Sequence, residues 1–299
     1  RVRDAWPDPD VVIRAGASPT SKPLRNYLAA VDADQYVVDP AAGWREAPFT
    51  ASNLVVADPT RLFGRLSRLL AGPGRDSWRE RWLDADAAHA DVLVDSEGFC
   101  EGRLLADVID LAPDPSTLFV SNSMPVRDLD RFGAPTTASL TAFGNRGASG
   151  IDGIVSTALG AGSATADDLT LVTGDLAYYH DMNGLAAVER CGVDATIVLI
   201  NNDGGGIFHI LPIESYDPPF SSQFVTPHGL DFEPTGDLYN LSFARIPGGD
   251  RPAFREAYAE ATASDGSHVI EVRTDADASH QVRDRLRERT VDRVLDATT

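Results

Sequence analysis

Apolar and polar residues alternate along the chain with two distinct periods. In the first third, short valine-containing runs have the pattern of β-strands, and the amphipathic segments between them have helical spacing. The predicted strands are 10–17, 35–39 and 53–58, and the predicted helices are 21–31 and 60–71. Strands that alternate with helices in this way predict a parallel sheet covered on both faces. Residues 72–97 turn polar with a helical pattern, and we place the join between two units there.

A second series of strands and helices begins near Gly98. Its predicted strands are 116–123, 169–175, 195–203 and 268–274, and its predicted helices are 100–112, 150–162, 181–191, 252–263 and 279–295. Residues 203–236 have neither period and predict a long loop, whose order the sequence leaves open. The pattern therefore predicts an α/β fold of two doubly wound parallel-sheet domains, 1–97 and 98–299, with ligands at the carboxyl ends of the strands.

Three of the predicted strands end in polar residues and glycines: SNSMPVR at 121–127, TGDLAYYHD at 173–181 and NNDGGG at 201–206. Neighbouring parallel strands would deliver these ends to one crevice, with Asp175 and Asn202 side by side. A carboxylate, an amide oxygen and a glycine carbonyl suit Mg²⁺ bound to phosphate oxygens and water. Consecutive glycines let the backbone approach such a ligand closely. Either motif alone is also an ordinary turn signal, so the prediction of a metal-bound diphosphate depends on the pair.

Composition narrows the choice of partners. The 45 acidic residues, 34 of them Asp, outnumber the 26 basic residues and give a net charge of −19. Such a surface repels nucleic acid and anionic membranes, and we expect neither as a partner. Two explanations for the acidity stay open, which are solubility in concentrated salt and a GC-rich genome. Two cysteines and the lack of an apolar run of 18 residues predict a cytoplasmic protein without a membrane span or a disulfide framework.

The longer motifs resemble one branch of the thiamine-diphosphate enzyme superfamily. GD at 174–175 followed by NN at 201–202 resembles the cofactor-binding motif of that superfamily. The segments that resemble the 2-succinyl-5-enolpyruvyl-6-hydroxy-3-cyclohexene-1-carboxylate synthase family of menaquinone biosynthesis are SNSMPVRDLD (121–130), NRGASGIDGIVSTALG (145–160), NNDGGGIF (201–208) and TPHGLDF (226–232). The resemblance is dense from about residue 98 to 245 and sparse in the first third.

The resemblance implies which residues contact the cofactor and the substrates. Cofactor contacts fall to Asn122, Ile151, Gly174, Asp175, Leu176, Asn202 and Gly204, of which Asp175, Asn202 and the Gly204 carbonyl would hold Mg²⁺ or Mn²⁺. Substrate contacts fall to Ser123, Arg127 and Arg146, and an apolar wall to Ile207 and Phe208. Arginine suits the implied substrates, because it binds carboxylates in a planar, bidentate way. Ordinary core packing remains the alternative for Ile151, Ile207 and Phe208. A solvated ion pair remains the alternative for the arginines.

Lys22 is the only lysine of the chain and lies where a predicted strand meets a helix. The family carries a basic pair at such a point, directed at a substrate carboxylate. Pro23 stands where the second basic residue is expected, which leaves the clamp incomplete. His180, His209 and His228 lie near the motifs, but the sequence pairs none of them into a metal site or a triad, and we expect His228 to shape its loop.

The reaction implied by the resemblance is the thiamine-diphosphate-dependent decarboxylation of 2-oxoglutarate, followed by conjugate addition of the succinyl-semialdehyde unit to isochorismate. Members of the family have three α/β domains, and their active site forms between subunits of a homodimer or homotetramer. Residues 1–97 resemble an incomplete middle domain and 98–299 the diphosphate-binding domain. The N-terminal pyrimidine-binding domain has no counterpart, and the chain does not begin with Met. We therefore expect a truncated chain that is inactive alone.

Two alternative functions stay open at this point. One is another thiamine-diphosphate enzyme for 2-oxo acids, similar to acetohydroxyacid synthase, although the segments NRGASGID and NSMPVRD argue against it. The other is a non-catalytic half that pairs with a separately encoded N-terminal chain.

Overall fold

The computed structural model describes residues 5–46, 49–70, 72, 74 and 76–298. It divides the chain into two compact units, the first made of Arg1–Ser96 with Leu286–Thr299 and the second of Glu97–Arg285. The end of the first unit lies next to the predicted join at residue 97. Residues 286–299, which the sequence placed in the second domain, group with the first unit instead.

The first unit contains a three-stranded parallel sheet in the order β1-β2-β3. Its elements are β1 (Val11–Ala15), α1 (Lys22–Ala30), β2 (Asp34–Val38), β3 (Asn53–Val55), α2 (Pro59–Leu69) and α3 (Asp76–Asp95). Ser21 and Asp58 cap the helices α1 and α2 by accepting a hydrogen bond from a backbone amide of the first turn. A proline stands within the first two positions of each of these helices, where its missing N–H costs nothing.

The second unit contains a six-stranded sheet in the order β5-β4-β6-β7-β9-β8, in which all strands are parallel. Its strands are β4 (Ser116–Val120), β5 (Leu140–Phe143), β6 (Asp168–Gly174), β7 (Thr196–Asn201), β8 (Ser242–Pro247) and β9 (His268–Arg273). Its helices are α4 (Gly102–Leu111), α5 (Met124–Phe132), α6 (Ile154–Gly162), α7 (Asp175–Asp181), α8 (Ala186–Cys191), α9 (Pro234–Tyr239) and α10 (Arg251–Thr262), and α11 (Ala276–Thr298) begins in it. The predicted α/β class with two parallel sheets is confirmed.

The strand order places the predicted site at the carboxyl ends of three inner strands of this sheet. β4, β6 and β7 are hydrogen-bonded neighbours, so their carboxyl ends lie side by side. β5 lies on one side of β4 and β6 on the other, so the order of the strands reverses between β4 and β6. The carboxyl ends of these two strands therefore form a topological switch point. Every residue of β4 and β7 is buried, because these inner strands are covered on both faces.

Four elements of the second unit were not predicted, namely α5, α9, β5 and β8. β5 and β8 are the outer strands of the sheet, and all of their residues are exposed or half-buried, so they lack the apolar run by which the inner strands were found. The predicted loop 203–236 contains short helical turns at Gly206–Ile210, Pro212–Ser215 and Phe220–Val225. Among the described residues, no helix combines the length and the apolarity that crossing a membrane requires.

Candidate cofactor site

A cavity of about 190 Å³ opens at the carboxyl ends of β4, β6 and β7. Most of the predicted site residues line it: Asn122, Ser123, Ile151, Gly174, Asp175, Leu176, Asn202, Gly204, Ile207 and Phe208. Glu101 and Asp128, which the sequence did not single out, also line it. The three polar strand ends therefore converge, as their positions after parallel strands predicted.

Asp175 is the first residue of α7 and is 2% exposed. Its Oδ1 accepts a hydrogen bond from the Leu176 amide at 2.7 Å, and its Oδ2 accepts one from the Gly204 amide at 2.9 Å. Burial raises the pKa of the Asp175 carboxyl above its ordinary value, and the two amides oppose that rise. The carboxylate is therefore fixed in position but incompletely compensated, an arrangement that a bound cation would stabilise.

Asn202 follows β7 and presents an amide oxygen without a partner. Its Nδ2 donates to Glu101 Oε1 at 2.8 Å, which assigns the nitrogen and leaves Oδ1 pointing elsewhere. That Oδ1 is buried and has no hydrogen-bond partner among the described residues. Leaving such an atom unpaired costs roughly 1–3 kcal/mol, so buried orphans mark places where a ligand or ion binds.

Asn122 shows the same feature at the end of β4. Its Nδ2 donates to the Gly150 carbonyl at 3.1 Å, and its Oδ1 is buried without a partner in the part of the chain that the structure describes. The next residue, Ser123, has φ of 70°, which is uncommon outside glycine. Such strained backbone concentrates at binding sites, because surrounding contacts must hold it.

The glycine bend after β7 depends on the absence of side chains. Gly204 has φ of 147°, and a Cβ built on it would lie 2.1 Å from the Val225 carbonyl oxygen. The Gly205 amide donates to the same carbonyl at 2.8 Å, which draws the two backbone segments together. Any larger residue at position 204 would force them apart. Asp175, Asn202 and Gly204 thus line one cavity, and a carboxylate, an amide oxygen and a backbone carbonyl are the kinds of hard-oxygen ligand that suit Mg²⁺ with a diphosphate.

A buried ion-pair network contacts Asn202 through Glu101. Arg283 donates from Nε and Nη2 to the two oxygens of Asp128, at 2.9 and 2.5 Å, and from Nη2 to Glu101 Oε2 at 2.6 Å. All three residues are at most 4% exposed. Burial raises the pKa of the Asp128 carboxyl, and Arg283 opposes that rise. Because Glu101 also holds Asn202, the network orients the orphan amide oxygen. No spacing in the sequence joins these residues, which come from distant segments.

His228 contacts the predicted metal ligand Asp175. Its Nδ1 accepts the Leu230 amide at 3.0 Å, and its Nε2 lies 3.3 Å from Asp175 Oδ2. With Nδ1 accepting, the neutral ring carries its proton on Nε2 and donates it to the carboxylate. Asp203 Oδ1 accepts the His228 and Gly229 amides at 3.0 and 2.7 Å. His228 therefore shapes its loop, as expected, and also contacts Asp175 in the site.

The predicted cationic residues do not line the cavity. Arg127 lies on α5 and donates from Nη1 to the Ser123 carbonyl at 2.5 Å. Arg146 is exposed in the segment after β5. Lys22 is exposed at the first position of α1, in the first unit. Their predicted contacts with substrate carboxylates remain predictions.

Comparisons with known proteins agree with this geometry. Residues 131–272 match the family described as thiamine pyrophosphate enzyme, C-terminal TPP binding domain. The chain is 62% identical to a 2-succinyl-5-enolpyruvyl-6-hydroxy-3-cyclohexene-1-carboxylate synthase of Haloquadratum walsbyi, over 98% of this chain and 53% of that protein. It is 62% identical to the synthase of the same name from Haloarcula marismortui, over 97% of this chain and 49% of that protein. For the Roseiflexus castenholzii synthase the identity is 46%, over 91% of this chain and 47% of that protein. The chain spans about half the length of the curated relatives it matches.

Proposed function

The chain is homologous to about half of each 2-succinyl-5-enolpyruvyl-6-hydroxy-3-cyclohexene-1-carboxylate synthase that it matches, and from that premise we propose that it provides the diphosphate-binding half of such an enzyme. The whole enzyme would decarboxylate 2-oxoglutarate and transfer the remaining four-carbon unit to isochorismate. The observation that carries the proposal is the unpaired, buried Asn202 Oδ1 beside the fixed carboxylate of Asp175.

Asp175, Asn202 and the Gly204 carbonyl would hold a divalent cation, Mg²⁺ or Mn²⁺, on the diphosphate of thiamine diphosphate. When bound, the cofactor supplies an electron sink for the carbanion that decarboxylation leaves. The protein's own contribution is to position anions and to exclude water. His228 keeps Asp175 in place by its Nε2–H, and the Glu101 carboxylate turns the Asn202 oxygen toward the cation.

The apolar residues at the cavity suit the reacting end of the cofactor. Ile151 is bulky and 36% exposed, and it lines the same cavity as Ile207 and Phe208. The Phe208 ring packs edge-on against Phe224, with 5.3 Å between ring centroids. We propose that Ile151 supports the thiazolium and that Ile207 and Phe208 keep water away from it. Ser123, Arg127, Arg146 and Lys22 are proposed to meet the carboxylates of the substrates.

The acidic composition supports a setting of concentrated salt. The chain has one lysine and a net charge of −19, and its relatives in Haloquadratum and Haloarcula are similar to it over nearly all of its length. Screening by molar KCl would relieve the repulsion among its surface carboxylates. We propose a halophilic, cytoplasmic homo-oligomer. We further propose that the pyrimidine-binding domain corresponds to the part of the relatives that this chain does not match.

Calorimetric titration with thiamine diphosphate and Mg²⁺ in molar KCl tests the proposed half-site. We expect the wild-type chain to bind the cofactor only with the cation present, and Asp175→Ala to weaken the affinity at least about tenfold, which is roughly 1.4 kcal/mol. The matched control is Asp194→Ala, because Asp194 is exposed in the turn before β7, at the opposite end of that strand. Equal affinity of the wild type and Asp175→Ala, or no binding by a folded wild-type chain, would contradict the proposal.

A further inference from the structure

A second group of metal-ligating side chains lies outside the cavity. Among the described residues, His209, Glu214 and Asp277 each place a ligand atom within 4.8 Å of the other two. None of the three lines the cofactor cavity. His209 and Glu214 belong to consecutive 3₁₀ turns of the segment after β7, and Asp277 belongs to the first turn of α11. The group therefore joins two parts of the second unit that are distant in sequence.

His209 and a nearby histidine outside the group, His280, both lie next to Glu214. His209 Nδ1 lies 3.0 Å from Glu214 Oε1, and its ring packs edge-on against Phe220 with centroids 5.0 Å apart. His280, one turn after Asp277 on α11, directs Nε2 at Glu214 Oε2 from 3.9 Å. The two imidazole rings are 6.1 Å apart. Both imidazoles therefore lie next to the Glu214 carboxylate, His209 at Oε1 and His280 at Oε2.

We propose that His209, Glu214 and Asp277, whose ligand atoms all lie within 4.8 Å of one another, form a binding site for a divalent transition-metal ion of the Zn²⁺ type. His280 lies outside this group, with Nε2 3.9 Å from Glu214 Oε2. Imidazole with carboxylate favours such ions over Mg²⁺, which prefers an all-oxygen shell. Tetrahedral bonds of about 2.0–2.2 Å would place the ligand atoms roughly 3.3 Å apart, so the group closes by small side-chain movements. Two contacts compete with such an ion: His280 Nε2 lies 3.4 Å from Asp284, closer than the 3.9 Å to Glu214, and Gln281 donates to one Asp277 oxygen at 2.8 Å.

The site has a consequence for the cofactor cavity. Ile207 and Phe208, which line the cavity, immediately precede His209 in the same 3₁₀ turn. An ion shared by His209 and Asp277 would fasten this turn to α11 and so restrict the motion of the apolar wall. This role is independent of the proposed cation on the diphosphate, since the two sites have no ligand in common.

Equilibrium dialysis against Zn²⁺, in molar KCl and without thiamine diphosphate, tests this site. Beyond any Zn²⁺ bound at sites that all variants share, we expect the wild-type chain to bind one Zn²⁺ with an affinity at least tenfold higher than in His209→Gln and in Asp277→Asn. His180→Gln is the matched control, because His180 is exposed on α7 and outside the group, and it should bind as the wild type does. Binding at the exposed thiol of Cys191 is common to all variants and cancels in the comparison.

Hydrogen exchange provides a second measurement. Zn²⁺ should slow amide exchange across residues 206–215 in the wild type and in His180→Gln, and leave it unchanged in His209→Gln. Should His209→Gln fail to fold, Asp277→Asn decides, since Asp277 is exposed and asparagine keeps the acceptor for Gln281. Equal Zn²⁺ binding by all four proteins, or no bound Zn²⁺ in the wild type, would overturn the proposal. In that outcome His209 and Glu214 make only a hydrogen bond to each other.

Discussion

Replacing Arg283 by methionine should destabilise the chain and weaken its cofactor site together. The guanidinium makes hydrogen bonds to Asp128 and Glu101, both at most 2% exposed. Methionine keeps the apolar volume of the stem and leaves two buried carboxylates without their cation. Removing one side of a buried pair costs roughly 3–5 kcal/mol, and two stranded carboxylates place this variant at the upper end. Arg285→Met is the control on the same helix, because Arg285 is exposed and its loss should change stability by less than about 0.5 kcal/mol.

Denaturant unfolding at two pH values provides the assay. Without Arg283 the pKa of Asp128 should rise further, so the native state of the variant takes up protons that its unfolded state does not. The stability of the variant should therefore increase relative to the wild type as the pH falls from neutral toward that raised pKa. Cofactor affinity should fall as well, since Arg283 no longer orients the Glu101 carboxylate that accepts a hydrogen bond from Asn202. A loss under about 1 kcal/mol at neutral pH, or a deficit that does not shrink in acid, would refute this reasoning.

Two further substitutions test the glycine bend and the core. Gly204→Ala should cost about 2–5 kcal/mol in denaturant unfolding, because a Cβ meets the Val225 carbonyl at 2.1 Å. Gly160→Ala, in α6 with nothing near its Cβ, should stabilise by up to about 1 kcal/mol, and the opposite order would count against the strain argument. Tyr258→Phe should cost about 1 kcal/mol at neutral pH by stranding the Thr170 hydroxyl. Burial raises the pKa of Tyr258 from 10.0 to about 12, so the unfolded wild type ionises first and its stability falls as the pH rises from 10 to 12. Burial also raises the pKa of Tyr178 to about 12, so the variant should keep a shallower fall than the wild type over this range, and parallel pH profiles would contradict the assignment.

The sequence predicted the part of the site that local patterns encode. Asp175 and Asn202 each follow an apolar run that forms an inner strand, and parallel strands bring such ends together. Their converging positions are confirmed, and so are the predicted α/β class and the parallel sheets. The edge strands escaped prediction, because a strand with one neighbour is half-exposed and loses the apolar run.

The supporting contacts were beyond sequence reasoning for a physical reason. Glu101 lies 101 residues before Asn202, and His228 lies 53 residues after Asp175, and no periodicity relates residues at such separations. His228 carried a partial signal, since TPHGLDF was singled out as a motif. Glu101 offered little, for it begins an ordinary amphipathic helix. Only the register of the sheet and the path of α11 determine that these side chains meet.

The preference for arginine over lysine is consistent with the buried ion-pair network. The chain has retained a single lysine among 26 basic residues, yet its interior needs cations at several carboxylates. Arg283 contacts three carboxylate oxygens of two residues, and Arg245 contacts Glu271, which is fully buried. A lysine ammonium is one strongly hydrated point charge and does not reproduce the fork of N–H donors that these contacts use. The scarcity of lysine is therefore compatible with the buried carboxylates, because their contacts depend on guanidinium geometry. The acidic exterior and the arginine-held site are compatible features of one chain, and adaptation to salt has no need to alter the residues around Asp175 and Asn202.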